Sequence, residues 1–145
     1  MTGLGAVGAV RADVAEVLVR YATGIDQRDW SLFRTCFTDH CEADYGPIGR
    51  WHGVDEIIDW MARTHAACGH TLHRITNIAV TPNGDGRVRA RCYVDALVLG
   101  ADNRDGVRAT GFYDDDLVRA DDGWRIARRH YTTVHLQAVG EGMML

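Results

Sequence analysis

At 145 residues the chain is long enough for one domain with a real core, and no second domain is needed. A formal net charge of −4, with 46% hydrophobic and 25% charged residues, fits an ordinary soluble globular protein and offers no basic footprint for nucleic acid. All 16 basic residues are arginine, which excludes lysine Schiff-base chemistry and a lysine-bearing phosphate loop; the single serine, Ser31 in "DWSLF", lacks the G-x-S-x-G setting of a hydrolase nucleophile.

The first ten residues, rich in Gly and Ala, and the final "GEGMML" read as loose ends. From Val14 the apolar residues recur as Val14, Val17, Leu18, Tyr21, Ala22 and Ile25, the stripe of an amphipathic helix with Tyr21 on its buried side. The pattern breaks after Gly24, and Asp29 can cap a second short helix carrying Trp30, Phe33 and Phe37, so Asp26 falls at a helix-to-helix corner. "CEADYGPIGRW" has turn residues inside a strand-like run, and "GVDEIIDWMARTHAACG" reads as a third helix ending at Gly69.

From residue 71 strands take over. "TLHRITNIAVTP", "GRVRARCYVDALVLG", "VRATGFYDDDLVRA" and "GWRIARRHYTTVHLQAV" are separated by "NGDG", "ADNRDG" and "ADDG", each a hairpin or turn signal. Helices first and hairpin-linked strands after predict an α+β fold with an antiparallel sheet carrying helices on one side. Alternation puts His73, Ile75 and Asn77 on one face of the first of these strands, and His130 on a mainly apolar face of the last with Trp124, Ile126, Thr132, Val134 and Leu136, a parity broken by Arg128. The same alternation groups Asp95 with Arg87, Arg89 and Arg91, facing solvent.

Cys36, Cys41, Cys68 and Cys92 show no C-x-x-C spacing, and the N-terminus has no signal-peptide pattern, which predicts reduced thiols in a cytoplasmic protein. No apolar run approaches the ~20 residues that span a bilayer. Seven histidines raise the question of a metal, but His70 and His73 are of opposite strand parity, as are His130 and His135, so no metal or other cofactor is expected.

Four segments in order, "YATGIDQRDWSLFRTCF", "WHGVDEIIDWM", "TLHRITNIAV" and "DGWRIARRHY", resemble the SnoaL-like branch of the nuclear transport factor 2-like superfamily over about residues 10 to 138, within a single domain spanning 1–145. The resemblance implies a cone: three N-terminal helices packed on a strongly curved antiparallel sheet that encloses a pocket. Within the superfamily the chain looks most like the scytalone dehydratase, bile-acid 7α-dehydratase and hexachlorocyclohexane dehydrochlorinase types. That likeness implies a catalytic His73 paired with Asp26, and a catalytic Tyr21 where the dehydrochlorinase carries a lysine that this chain lacks. It adds Asp95 as a further pocket acid, while the second pocket histidine of scytalone dehydratase is missing. Asn77, Tyr45 and His130 complete the candidate pocket.

The chemistry is sensible on its own terms. A neutral imidazole is the best general base near neutral pH, a carboxylate on its other nitrogen fixes the tautomer, and a phenol can assist a leaving hydroxyl or polarise a carbonyl. Taken singly, Asp26 is also a helix-end acid, Tyr21 a core aromatic and Asn77 a strand-end hydrogen bonder. The expected function is a cofactor-independent, dehydratase-like lyase for a small hydrophobic cyclic metabolite, in a homo-oligomer (dimer or trimer) with no nucleic-acid or membrane partner. The rivals are a SnoaL-like polyketide cyclase or ketosteroid isomerase-type enzyme, and a non-catalytic ligand-binding module or small dioxygenase subunit.

Overall fold

The computed structural model describes residues 4–140. Helix α1 (Leu4–Asp26) begins earlier than the sequence suggests and runs through Gly24 rather than breaking there. A Cβ at Gly24 would lie 3.0 Å from the Phe33 backbone nitrogen, so the missing side chain admits α2 (Trp30–Arg34) against α1. Asp29 caps α2, accepting from the Leu32 N–H at 3.0 Å. Phe37 lies outside that helix and starts β1 (Phe37–Asp44).

Helix α3 (Val54–Ala66) stops short of Gly69, which already belongs to β3 (Cys68–Pro82). Strands β4 (Val88–Gly100), β5 (Gly106–Ala120) and β6 (Gly123–Val139) follow as hairpin-linked neighbours, and the short β2 (Arg50–His52) pairs with β1. The sheet order is β2-β1-β6-β5-β4-β3. This is the expected α+β architecture with two corrections: β1 pairs with β6 in parallel, so the sheet is mixed rather than wholly antiparallel, and it is open rather than closed into a barrel. The segment between β1 and β6 holds every other strand and α3, and that long excursion lets two strands run side by side in one direction.

Three bulges decide which side chains face the helices. In β3, Thr76 opposes Tyr93 and Ala79 opposes Arg91, so two residues, Asn77 and Ile78, stand against Cys92 alone. In β6, Ala127 is the extra residue between the Ile126–Leu117 and Arg128–Asp116 pairs, and Val134 is extra between the Thr133–Gly111 and His135–Thr110 pairs. Each extra residue inverts the alternation beyond it. Trp124 and Ile126 are therefore buried, but beyond Ala127 the inward residues become Arg129 and Tyr131.

The core lies between this inner face and the helices: Val14, Val17, Leu18, Tyr21 and Ile25 of α1 are buried, as the periodicity predicts. Among the described residues, no helix is long and apolar enough to cross a membrane. Residues 141–145, most of the "GEGMML" tail, lie outside the described residues.

Candidate active site

Helix α1 ends in a way that aims its last residue at β3. The Asp29 N–H donates to the Gly24 carbonyl at 2.8 Å and the Arg28 N–H to the Ile25 carbonyl at 3.0 Å, the paired bonds of a Schellman termination. Arg28 occupies the left-handed position, with φ 56°, where glycine is usual. The cost of about 1–2 kcal/mol is offset by the guanidinium, which donates to the Ile25 carbonyl at 2.9 Å, to Thr71 Oγ1 at 2.8 Å and to the Gly69 carbonyl at 2.6 Å. Arg28 thus ties the helix end to the edge strand, a role nothing in its sequence neighbourhood announces.

Asp26 is held there by three donors. His73 Nδ1 lies 2.7 Å from Asp26 Oδ1, the His73 backbone N–H donates to Oδ2 at 2.8 Å, and Thr71 Oγ1 donates to Oδ1 at 2.9 Å. β3 is an edge strand, so a backbone N–H on its free side needs a partner from outside the sheet, and the carboxylate supplies it. Burial pushes the Asp26 carboxyl up, but the bond from the His73 ring, that from its backbone N–H, the imidazole charge and the Thr71 hydroxyl together hold it below its ordinary value. An ionised carboxylate only accepts, so the His73 Nδ1 carries a proton, and in the neutral ring Nε2 is the nitrogen with the lone pair.

Around His73 the inner face is apolar and low. Cross-strand register aligns His73 with Ala96, Ala109 and Leu136, and the next row is Ile75, Val94, Gly111 and Thr133. Two alanines keep the sheet surface beside the imidazole low, the space over Gly111 is taken by the Thr132 carbonyl and the Tyr131 ring, and Leu136 and the bulged Val134 are exposed at the rim. On the α3 side stands His65, buried, its ring centroid 6.3 Å from that of His73 and 6.1 Å from Trp30.

Tyr21 and Tyr45 lie deeper in the core. Tyr21 Oη is 2.7 Å from Tyr45 Oη and 3.2 Å from Tyr113 Oη. Beneath them the Arg129 guanidinium stacks on the rings of Tyr113 and Tyr21, 3.8 and 4.2 Å from their centroids, and forms a bidentate pair with Asp115 at 2.7 and 2.9 Å. Both members of that pair are fully buried, and Arg129 Nη1 has no hydrogen-bond partner among the described residues. Burial opposes the Arg129 charge, but Asp115 and the phenols prevail and raise its pKa further; burial likewise pushes the Tyr21 hydroxyl well above its ordinary value. Burial also pushes the Asp115 carboxyl up, more than Arg129 lowers it. We read the pair as ionised, because two parallel N–H···O bonds to one guanidinium require a carboxylate acceptor.

Three candidates fall elsewhere. Asp95 pairs across the sheet with Arg74, the neighbour of opposite parity to His73, and is clamped by Arg108 at 2.9 and 2.6 Å on the outer face, as plain alternation indicates and the resemblance does not. Asn77 sits at the β3 bulge with φ 51°, exposed, which takes it off the face of His73. His130 is exposed on the outer face opposite Asp114, because the Ala127 bulge inverts its parity. Residues missed in the sequence are Arg28, Thr71, His65, Tyr113, Asp115 and Arg129; Arg128, which interrupts the apolar parity of the last strand beside the Ala127 bulge, was the available hint.

Among the described residues no three His, Cys, Asp or Glu side chains converge in a way that could hold a metal ion. A cavity of about 530 Å³ opens between β1, β2 and β6, lined by residues such as Glu42, Arg50, Trp51 and His130, away from the dyad. Burial pushes the thiols of Cys36 and Cys41 up to about 11 and that of Cys92 to about 12, far from a reactive thiolate at neutral pH.

This arrangement of helices and mixed sheet has known counterparts. The SnoaL-like domain pattern matches residues 9–130. The chain belongs to the SnoaL-like domain family. An uncharacterized protein of Mycobacterium tuberculosis (strain H37Rv) is 32% identical over 124 residues, covering 82% of each chain. Among solved structures, a protein from Kribbella flavida superposes with TM-score 0.81 at 26% identity, over 90% of this chain and 95% of the other. A hexachlorocyclohexane dehydrochlorinase, LinA-type3 of Novosphingobium barchaimii, superposes with TM-score 0.82 at 17% identity, over 94% of both chains, and so shares the fold.

Proposed function

We propose that the protein is a cofactor-independent, dehydratase-like lyase acting on a small hydrophobic cyclic molecule, with His73 as general base and Asp26 orienting it. The observation that carries this reading is the His73 ring: Nδ1 is committed to a carboxylate 2.7 Å away while Nε2 has no partner among the described residues. A proton taken from carbon by Nε2 leaves an imidazolium whose charge Asp26 stabilises, and the three donors on Asp26 keep that carboxylate from moving. The SnoaL-like family and the fold shared with a dehydrochlorinase support proton abstraction followed by loss of a leaving group.

Tyr21 is assigned the hydrogen-bond donor to the leaving hydroxyl or a carbonyl oxygen. Its hydroxyl is one of three that share hydrogen bonds, so it delivers a proton by redirecting one from Tyr45 or Tyr113. That engagement also favours a second reading, an isomerase or cyclase in which no group leaves and no acid is needed.

The test is a panel of hydroxylated tetralones and cyclohexanones incubated with the protein in the presence of a chelator and followed by mass spectrometry. Loss of water by wild-type protein, reduced by ~10²- to 10⁴-fold in His73→Gln, is the expected result. Turnover without mass change selects the isomerase reading, and wild-type turnover by folded His73→Gln removes the base.

A further inference from the structure

Two imidazoles share this site, and each has been deprived of its Nδ1 proton as a free donor. His65 Nδ1 lies 2.8 Å from the Met61 carbonyl, which can only accept, so Nδ1 is protonated and Nε2 carries a lone pair. His73 is fixed in the same tautomer by Asp26. Among the described residues neither Nε2 has a partner, and neither is one of the sealed, unpartnered side-chain atoms, which are Trp124 Nε1 and Arg129 Nη1. Both lone pairs therefore keep some accessible surface and are unclaimed within the described residues.

We propose that His65 is a substrate-binding residue whose Nε2 accepts a hydrogen bond from a hydroxyl of the ligand, so that the site selects hydroxyl-bearing rings over their ether analogues. The inference rests on the reading of His73 as base and deepens it by naming the substrate feature recognised beside the reacting carbon. The balance of the groups facing His65 supports an acceptor role. Burial, the Arg28 guanidinium and the His73 ring disfavour its protonation, and outweigh the Met61 carbonyl and Asp26, which favour it.

A buried acceptor with no donor of its own is left unsatisfied by a ligand that offers only another acceptor. Sites built to hydrogen-bond a hydroxyl reject analogues lacking it for this reason. Trp30 stands 6.1 Å from the His65 ring, close enough to offer aromatic surface to a ring bound at Nε2.

The probes are 2-naphthol and 2-methoxynaphthalene, the same ring system with and without an O–H donor. Binding is measured by calorimetry, and histidine nitrogens are followed by ¹⁵N NMR. For wild-type protein, 2-naphthol is expected to bind ~10-fold tighter or more, with a shift of His65 Nε2 that the ether does not cause. His65→Phe should bring the ratio close to one, while His65→Gln, whose amide oxygen can stand near the Nε2 position, should restore part of it. His73→Phe should keep the preference.

Equal binding of the two probes, binding of neither, a preference that survives in His65→Phe, or one lost only in His73→Phe would each overturn the proposal. If His65→Phe does not fold, the wild-type nitrogen shift and the His65→Gln ratio decide. Failure of the base reading would instead appear as undiminished turnover in His73→Gln with the naphthol preference intact, so the two failures are distinguishable.

Discussion

The inner face of the sheet carries two carboxylate pairs of opposite character. Asp115 and Arg129 are fully buried under tyrosine rings, whereas the side chains of Asp26 and His73 keep 19% and 10% of their exposure at the open end of the sheet. In the first pair both ends of the carboxylate meet one guanidinium and the aromatic rings close over it. In the second, the carboxylate is saturated by donors but the imidazole has one nitrogen left over. A charge pair that is sealed acts on the fold; one that is saturated on one side and open on the other can act on a ligand.

The largest expected effect tests the sealed pair. Asp115→Asn should destabilise the protein by about 3–5 kcal/mol in urea denaturation, since it leaves the Arg129 charge buried without a counter-ion. Replacing both residues by Leu and Met should recover most of that loss, because well-packed apolar side chains remove the desolvation penalty altogether. A double variant as unstable as the single one would show that the pair contributes more than charge balance.

Asp26→Asn comes next and should affect both fold and activity. Stability at neutral pH should fall by about 1–3 kcal/mol, because the amide cannot accept from all three donors at once. The Asp26 carboxyl is held below its ordinary value of 3.8, so its stabilising contribution is present in full above that value and lost as pH falls through the lowered one. The gap between wild type and Asp26→Asn in denaturation midpoint should therefore narrow in strong acid; a gap constant from pH 7 to pH 2 would contradict the assignment.

Tyr21→Phe should cost about 0.5–1.5 kcal/mol through lost bonds to Tyr45 and Tyr113, with the ring kept in its packing. If the reaction expels water, turnover should also fall by ~10²-fold with little change in binding. Wild-type turnover on a substrate shown to lose water would take Tyr21 out of the mechanism. The smallest effect belongs to Asp95→Asn, a change of under ~1 kcal/mol in stability with activity unaltered, because Asp95 serves only an outer-face pair with Arg108 and Arg74. A clear loss of turnover there would return Asp95 to the site.

What the chain itself dictates is local and periodic. The apolar stripe of α1, the Asp29 cap and the turn signals before β4, β5 and β6 depend on neighbours a few residues apart, and all are where the pattern put them. The meeting of Asp26 with His73 was legible only through the resemblance, since 47 residues separate them. The tertiary structure decided what alternation could not express. Extra residues at Asn77–Ile78, Ala127 and Val134 are invisible to a period of two, yet each turns the side chains beyond it to the other face, sending His130 outward and Arg129 inward. A bulge is settled by which pairings on either side satisfy the ladder and the core together, as when Arg11 of α1 donates to the Ile78 carbonyl at 3.1 Å across 67 residues. The same holds for His65, an ordinary helix residue in the sequence, whose place beside His73 exists only once α3 packs on the sheet.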